Sequence, residues 1–281
     1  MGTLYVVGTP IGNLADLSAR AAETLRSVDA CYAEDTRRTG KLLARSDIRT
    51  ALRSLHEHNE RARVEEVLER LSRGDSLALV SDAGTPTVSD PGQRLLRAAI
   101  AAGHRVSPVP GPSAVVAALS VSGLPADRFR FAGFPPRKGE AREEWFDEVA
   151  GSSDTVVVFE APGRLVAFLQ ALIDRGLGER RATVCRELTK LHEEVEAGTI
   201  TELATVYGSR SVKGEVTVVI GADPTQGTEA DPAEVEAVVR ALASEGLSRR
   251  DIAERLSRRF GLSRNEAYRA SLSTAEGDPD E

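Results

Sequence analysis

The sequence predicts an α/β protein, and three observations carry that expectation. Short apolar runs recur along its 281 residues, each closing in glycine, proline or small polar residues and followed by a stretch with helical spacing. The pattern restarts after residue 124, and a Pro- and Gly-bearing stretch from residue 222 sets off a short helical tail. A length of 281 residues admits two α/β domains or one large one, and either buries a sizeable core.

The first strand is expected at 3–7, where β-branched and aromatic residues predominate, and Gly8-Thr9-Pro10-Ile11-Gly12-Asn13 ends it. Residues 17–28 then place Leu17, Ala21, Leu25 and Val28 on one helical face. Pro10 and the glycine spacing do not fit the dinucleotide fingerprint G-x-G-x-x-G, which disfavours a Rossmann dehydrogenase. A second strand, 30–33, runs into Glu34-Asp35-Thr36-Arg37-Arg38 and a helix over 41–44. These charges either hold a polar substrate group or amount to a helix cap with two solvated arginines. A third strand, 52–55, leads to His56-Glu57-His58-Asn59 and an amphipathic helix over 60–72. Alternate residues of an extended segment share a side, so His56 and His58 face together, in a catalytic pair or a polar surface turn.

The stretch around which the chain is organised follows. An apolar strand, 76–80, stops in Ser81-Asp82-Ala83-Gly84-Thr85-Pro86-Thr87-Val88-Ser89-Asp90-Pro91-Gly92 before a helix over 93–102. Loops at the carboxyl ends of α/β strands are where ligands bind. Gly84 lets a ligand approach the main chain, and Pro86 and Pro91 stiffen the loop. The plainer reading is a strand-to-helix connection capped by Asp90 or Ser89, with Pro91 near the first helical position. Strand 104–109 ends likewise in Pro110-Gly111-Pro112-Ser113-Ala114, and Ser113 sits where helical amides are free for a ligand or an ordinary cap. Helix 113–120 closes at Ser122-Gly123-Leu124-Pro125.

In the second half, strand 130–133 precedes an exposed basic loop, 134–139, with Arg137 and Lys138, and helix 143–150 holds the only tryptophan, Trp145. The run 154–159 is apolar throughout, as suits a strand buried on both faces, and ends in Glu160-Ala161-Pro162-Gly163-Arg164 before a helix to 173. Strands 182–186, 191–197 and 215–220, with a helix over 200–207, complete a second sheet. After the linker 222–231, the tail shows helical spacing in Ile252, Leu256 and Phe260, with seven arginines against three acids between Leu247 and Ala270, a balance of +4. Its layout resembles a helix-turn-helix unit, to be read as a phosphate-backbone contact or as a solvated helical cap.

Composition narrows the function. A net charge of −7 argues against a nucleic-acid coat over the whole surface while allowing a local basic patch. Cys31 and Cys185 lie in apolar runs and read as buried thiols of a reducing compartment. His56, His58, His104 and His192 show no metal-ligand spacing, so no metal is expected. No apolar run approaches a membrane span, so no membrane contact and a cytoplasmic location are expected.

The blocks GTPIGNL, AEDTRRTGKLL, SLHEHNE, LVSDAGTPTVSDPG, PVPGPSAVVAAL, SGLPADRFRFAGFPP, CRELTKLHEEVEAG and KGEVTVVIGA resemble the ribosomal RNA small-subunit methyltransferase I family over nearly all of residues 3–222. That family belongs to the tetrapyrrole-methylase-like, class III methyltransferases dependent on S-adenosylmethionine. The resemblance implies two α/β domains of the tetrapyrrole methylase type, at 1–123 and 124–222, with the cofactor cleft between them and a helical tail at 232–275. It also implies a homodimer that methylates the ribose 2'-oxygen of a cytidine (1402) in 16S rRNA of the small ribosomal subunit. One departure stands out: members commonly show Glu-Ser-Pro-His-Arg where this chain has Glu160-Ala161-Pro162-Gly163-Arg164, so no histidine at that point serves as a base here.

Under this resemblance, Thr9, Pro10, Ser81, Asp82, Ala83, Gly84, Thr85, Pro86, Ser113 and Ala114 are expected at the cofactor, with Glu160 and Ala161 from the second domain. Methyl transfer needs an oriented hydroxyl and an acceptor for its proton; His56 or His58 is the expected base, with Glu57 fixing the tautomer. Arg37, Arg38, Arg137, Lys138, Arg249, Arg250, Arg258 and Arg259 are expected to meet RNA. Two rival readings are a small-molecule methyltransferase of the same fold, acting on a tetrapyrrole, and a ribosome-binding module without catalysis.

Overall fold

A computed structural model describes residues 2–56, 58–222, 232–244, 247–260, 262 and 264–272. Within them the first half of the chain forms five strands, β1 (Thr3–Val7), β2 (Ala30–Ala33), β3 (Leu52–Ser54), β4 (Leu77–Val80) and β5 (Arg105–Val109), all parallel and in the order β3-β2-β4-β1-β5. Strand alternation explains why both faces are dry. Leu77 and Leu79 pack with Leu4, Tyr32 and Leu55 against Val67 and Leu71 of α3 (Glu60–Ser72) and Leu95 and Ala99 of α4 (Gln93–Ala101). Ala78 and Val80 pack on the opposite face with Val7 and Cys31 against Ala21 and Leu25 of α1 (Ala19–Ser27) and Leu43 of α2 (Thr36–Arg45). Because β4, β1 and β5 are parallel neighbours, the turns at their carboxyl ends share one edge of the sheet.

Two helices start where side chains cap them rather than where apolar spacing begins. Leu14–Asp16 is a 3-10 turn, and α1 starts only after Ser18, whose hydroxyl accepts the N–H of Ala21 at 3.0 Å. The helix expected over 41–44 begins five residues earlier, because the Asp35 carboxylate accepts the N–H of Arg37 at 2.8 Å.

The second sheet contains β6 (Phe129–Phe131), β7 (Thr155–Glu160), β8 (Arg181–Arg186), β9 (Glu194–Thr199) and β10 (Val216–Ile220), ordered β6-β7-β10-β8-β9. Only β6 and β7 are parallel; the remaining pairs are antiparallel. One face is covered by α6 (Glu140–Ala150), α7 (Leu165–Ile173) and α8 (Ile200–Gly208), through Phe146, Phe168, Leu169 and Tyr207 among others. The other face takes a helix from the first half of the chain: Val115, Ala118 and Leu119 of α5 (Ala114–Val121) pack on Val157, Cys185 and Val219. A helix rich in apolar residues must be covered on more than one side, and α5 meets that need by bridging the two sheets.

β9 starts three residues later than expected, since Lys190 and Glu193 close successive turns on the carbonyls of Glu187 and Lys190, leaving Leu191 93% exposed. Both thiols are free and buried; burial pushes Cys31 up to about 12 and, with the charge of Glu193 adding, Cys185 up to about 11. The tail folds as α9 (Pro232–Ser244), α10 (Arg249–Phe260) and α11 (Arg264–Ala270) around Val239, Ile252, Leu256 and Ala267. Among the described residues, no helix is long and apolar enough to cross a membrane.

Candidate active site between the two sheets

Three strand-end turns of the first sheet are fastened to one another. Thr9 and Gly84 exchange backbone hydrogen bonds of 2.8 and 3.1 Å, tying the turn after β1 to the loop after β4. Gly8 lies against Gly111 so closely that a Cβ on Gly8 would sit 2.7 Å from the Gly111 nitrogen, which joins the turn after β5 to the same body. The loop after β4 bends sharply: Thr87 and Ser89 hold φ of 73° and 65°, a left-handed backbone that side chains rarely adopt, and Gly84 and Gly92 are also left-handed. Such a loop is shaped in advance of any ligand.

A cavity of about 330 Å³ opens between these turns and the second sheet, at the lower end of the usual range for small-molecule sites. Ile11, Arg38, residues 82–85, 88–90 and 113–115 form its wall on the first sheet's side; Phe134, residues 159–162 and 214–217 form the other. Of the residues expected at a cofactor, Asp82, Ala83, Gly84, Thr85, Ser113, Ala114, Glu160 and Ala161 line it. Thr9, Pro10, Ser81 and Pro86 do not; Thr9 and Ser81 lie buried behind the wall, where the Thr9 hydroxyl reaches the carbonyls of Ser81 and Gly84 at 3.4 Å. Their side chains brace the loop.

His56 and His58 stand with ring centroids 6.0 Å apart, yet neither lines the cavity. Asn59 accepts the His56 backbone N–H at 2.8 Å and donates to Ser54, so its side chain is spent within the turn ahead of α3. Glu57 lies outside the described residues. Arg38 does reach the cavity, where it pairs with Asp82 at 3.2 Å, while Arg37 is 87% exposed and folds back onto Asp35 at 2.8 Å. Arg137 and Lys138 are exposed in the loop after Phe134, and Arg249 and Arg250 are exposed on α10. Arg258 and Arg259 belong to α10, but their side chains lie outside the described part of the chain.

The cavity is acidic on its first-sheet wall. Asp82 accepts the backbone N–H of Asp35 at 2.9 Å in addition to its pairing with Arg38. Burial holds Asp90 above the usual carboxylate range, with the Asp82 charge adding to it and the Ser81 hydroxyl opposing. Burial also raises Glu34 just behind, with Asp82 and Asp90 contributing. On the other wall Glu160 is buried; one oxygen accepts from the Ala161 N–H at 2.6 Å and from Arg164 at 2.7 Å. Its second oxygen, Oε2, is buried with no partner. A ligand N–H or O–H satisfies such an atom, which otherwise costs about 1–3 kcal/mol.

Sequence reasoning passed over two parts of this site. Val88, Ser89 and Asp90 read as the end of a loop and a cap, but α4 is capped by Gly92, and the side chain that reaches its first turn is Glu60, which accepts the Leu95 N–H at 3.1 Å. Residues 214–217, within the KGEVTVVIGA block, read as Gly214 and the start of a strand, with no site role assigned. That glycine has φ of 90°, and a Cβ there would collide with the Glu187 carboxyl. Glu187 in turn accepts from Lys190 at 2.7 Å and from the Glu215 N–H at 2.9 Å, and the Thr189 hydroxyl accepts the Asn13 N–H at 3.0 Å. Residues 187–190 therefore clasp the cavity wall at 214–217 to the turn after β1.

A family model described as Tetrapyrrole (Corrin/Porphyrin) Methylases matches residues 3–204. A protein of Synechocystis sp. named Ribosomal RNA small subunit methyltransferase I is 43% identical, over 97% of this chain and 98% of its own. Proteins of the same name from Xylella fastidiosa and Mycobacterium tuberculosis are 50% and 47% identical over 78% and 85% of this chain, and 81% and 85% of theirs. Among solved structures, a cobalt precorrin-4 methyltransferase superposes with TM-score 0.61 at 16% identity, covering 78% of this chain and 94% of that one. A diphthine synthase does so with TM-score 0.61 at 17% identity, over 79% of this chain and 90% of that one. At such identities these two structures bear on the fold alone.

Proposed function

The chain belongs to the tetrapyrrole methylase family and, within it, to the ribosomal RNA small subunit methyltransferase I family, and from that premise we propose that it methylates the ribose 2'-oxygen of a cytidine, 1402, in 16S rRNA. S-adenosylmethionine supplies the methyl group, activated on a positively charged sulfur. The partner is RNA of the small ribosomal subunit, the location is cytoplasmic, and the working unit is a homodimer. The observation that carries this reading is the cavity itself, built from three joined turns on one side and Glu160, Ala161 and Gly214 on the other.

The residues present fit the cofactor. Glu160 Oε2 lacks a donor that a nucleoside amino or hydroxyl group provides. Asp82 supplies negative charge on the cavity wall, suited to a sulfonium. The small residues Ala83 and Gly84 keep that wall free of bulk, and Ile11, Val88, Val115, Phe134 and Phe159 give the cavity an apolar lining. Positioning then does most of the chemistry: a hydroxyl held about 3–3.5 Å from the methyl carbon reacts without a collisional step. Exposed Arg137 and Lys138 follow the cavity-lining Phe134 by three and four residues, suited to the phosphates of a nucleotide turned out of its strand.

Radiolabelled S-adenosylmethionine and small subunits from cells lacking this gene test the reading. Label resistant to alkaline hydrolysis at one cytidine is the expected outcome. Label in a free tetrapyrrole but not in RNA supports the small-molecule alternative, and cofactor binding without transfer to either supports a binding module.

A further inference from the structure

Five ionisable side chains line the cavity: Arg38, Asp82, Asp90, Glu160 and Glu215. Four of them are engaged. Arg38 and Asp82 pair at 3.2 Å, Glu160 is held by Arg164 at 2.5 Å, and Glu215 by Lys190 at 3.1 Å. Asp90 has no cation within ion-pair distance among the described residues, and it is not spent on the helix behind it, because Gly92 caps α4. The groups that face it are Asp82 and Glu34, both acidic, the Ser81 hydroxyl, and Arg38, which Asp82 already engages. The left-handed backbone at Thr87 and Ser89 fixes the loop that presents it.

We propose that Asp90 is the catalytic base of the methyl transfer. This rests on the ribose-methylating reading above. The Asp90 carboxylate takes the proton of the ribose hydroxyl while the oxygen–carbon bond forms and the carbon–sulfur bond breaks. The electron pair leaves with sulfur, giving a neutral thioether, and the proton passes from Asp90 to solvent. A carboxylate lifted by burial accepts a proton more readily than an ordinary aspartate. His56 and His58, off the cavity wall, are not needed for the step.

Single-turnover methylation of unmethylated small subunits is measured from about pH 5 to about pH 9, alongside cofactor affinity by calorimetry and subunit binding. The wild-type rate is expected to rise with pH to a plateau, with an apparent pKa above that of a free aspartate. Asp90→Asn is expected to lose about 100-fold or more in rate and to flatten the rise, while both affinities stay within about threefold. Asp90→Glu should restore part of the rate and the pH-dependent limb. The proposal is overturned if Asp90→Asn keeps its rate within about threefold, if its cofactor affinity falls in step with its rate, or if replacing both histidines is what removes the limb. Should Asp90→Asn fail to fold, a flat wild-type profile or an inactive, folded Asp90→Glu overturns it equally. Cofactor binding by the wild type without any label in RNA refutes the ribosomal reading instead.

Discussion

Gly84 shows how much a single position decides. Its φ of 77° is open to glycine at little cost, and a Cβ there would touch Ile11 at 3.4 Å while projecting beside the cavity. Gly84→Val adds a β-branched side chain to a left-handed backbone, a strain of about 1–3 kcal/mol, and narrows the space a ligand needs. The variant is expected to fold with a lowered melting temperature and to bind S-adenosylmethionine at least about tenfold more weakly. Unchanged affinity by calorimetry counts against placing the cofactor at this loop. The glycine was legible because it stands in an abrupt run of small residues. Asp90 was not: an acid three residues before a helix reads as a cap, and only the observed cap at Gly92 releases it for other work.

At the scale of the element, local signals located strands well and helix starts less well. Apolar runs such as 77–80 have few other places to go, whereas α2 starts where Asp35 captures an amide, a bond that apolar spacing does not register. The capping box on α8 gives a test away from the site: Thr199 accepts the Glu202 N–H at 3.2 Å, and Glu202 accepts the Thr199 N–H at 2.8 Å. Thr199→Ala should cost about 1 kcal/mol in chemical denaturation and leave methylation unchanged. β9 offers a second test. Burial alone would raise Glu194, but hydrogen bonds from Arg210, Tyr207 and Arg186 outweigh it and hold the carboxyl below the usual 4.5. A depressed carboxylate contributes stability that is full above its unfolded value and is lost as pH falls through its folded one. Glu194→Gln should therefore lose about 1–2 kcal/mol near neutral pH, with the gap to wild type closing as pH drops below about 4.5. Melting curves across that window check the sign, and a gap that widens in acid contradicts it.

Across the whole molecule, the assembly of the site was the least legible feature. The sequence shows strand-end turns one at a time, but their joining through Thr9–Gly84 and Gly8–Gly111, the crossing of α5 to the second sheet, and the clasp at 187–190 are long-range contacts with no periodic signature. The tail's charge was legible, and it leads to a prediction at this scale. Removing the chain after Asp231 takes away α9 to α11 with the arginine-rich stretch, and the salt dependence of subunit binding should become shallower by roughly 0.7 log unit for each phosphate that the protein then leaves unneutralised. Equal slopes for the full and shortened proteins would remove the tail from the RNA footprint.

The central claim is that one hollow between the two sheets holds methyl donor and ribose together. Mass spectrometry of 16S rRNA nucleosides after reaction with unmethylated subunits addresses it most directly. The account predicts one additional methyl, on the ribose oxygen of a single cytidine, that disappears when Gly84→Val blocks the hollow. A methyl on a base, or ribose methylation that persists undiminished in that variant, would contradict it.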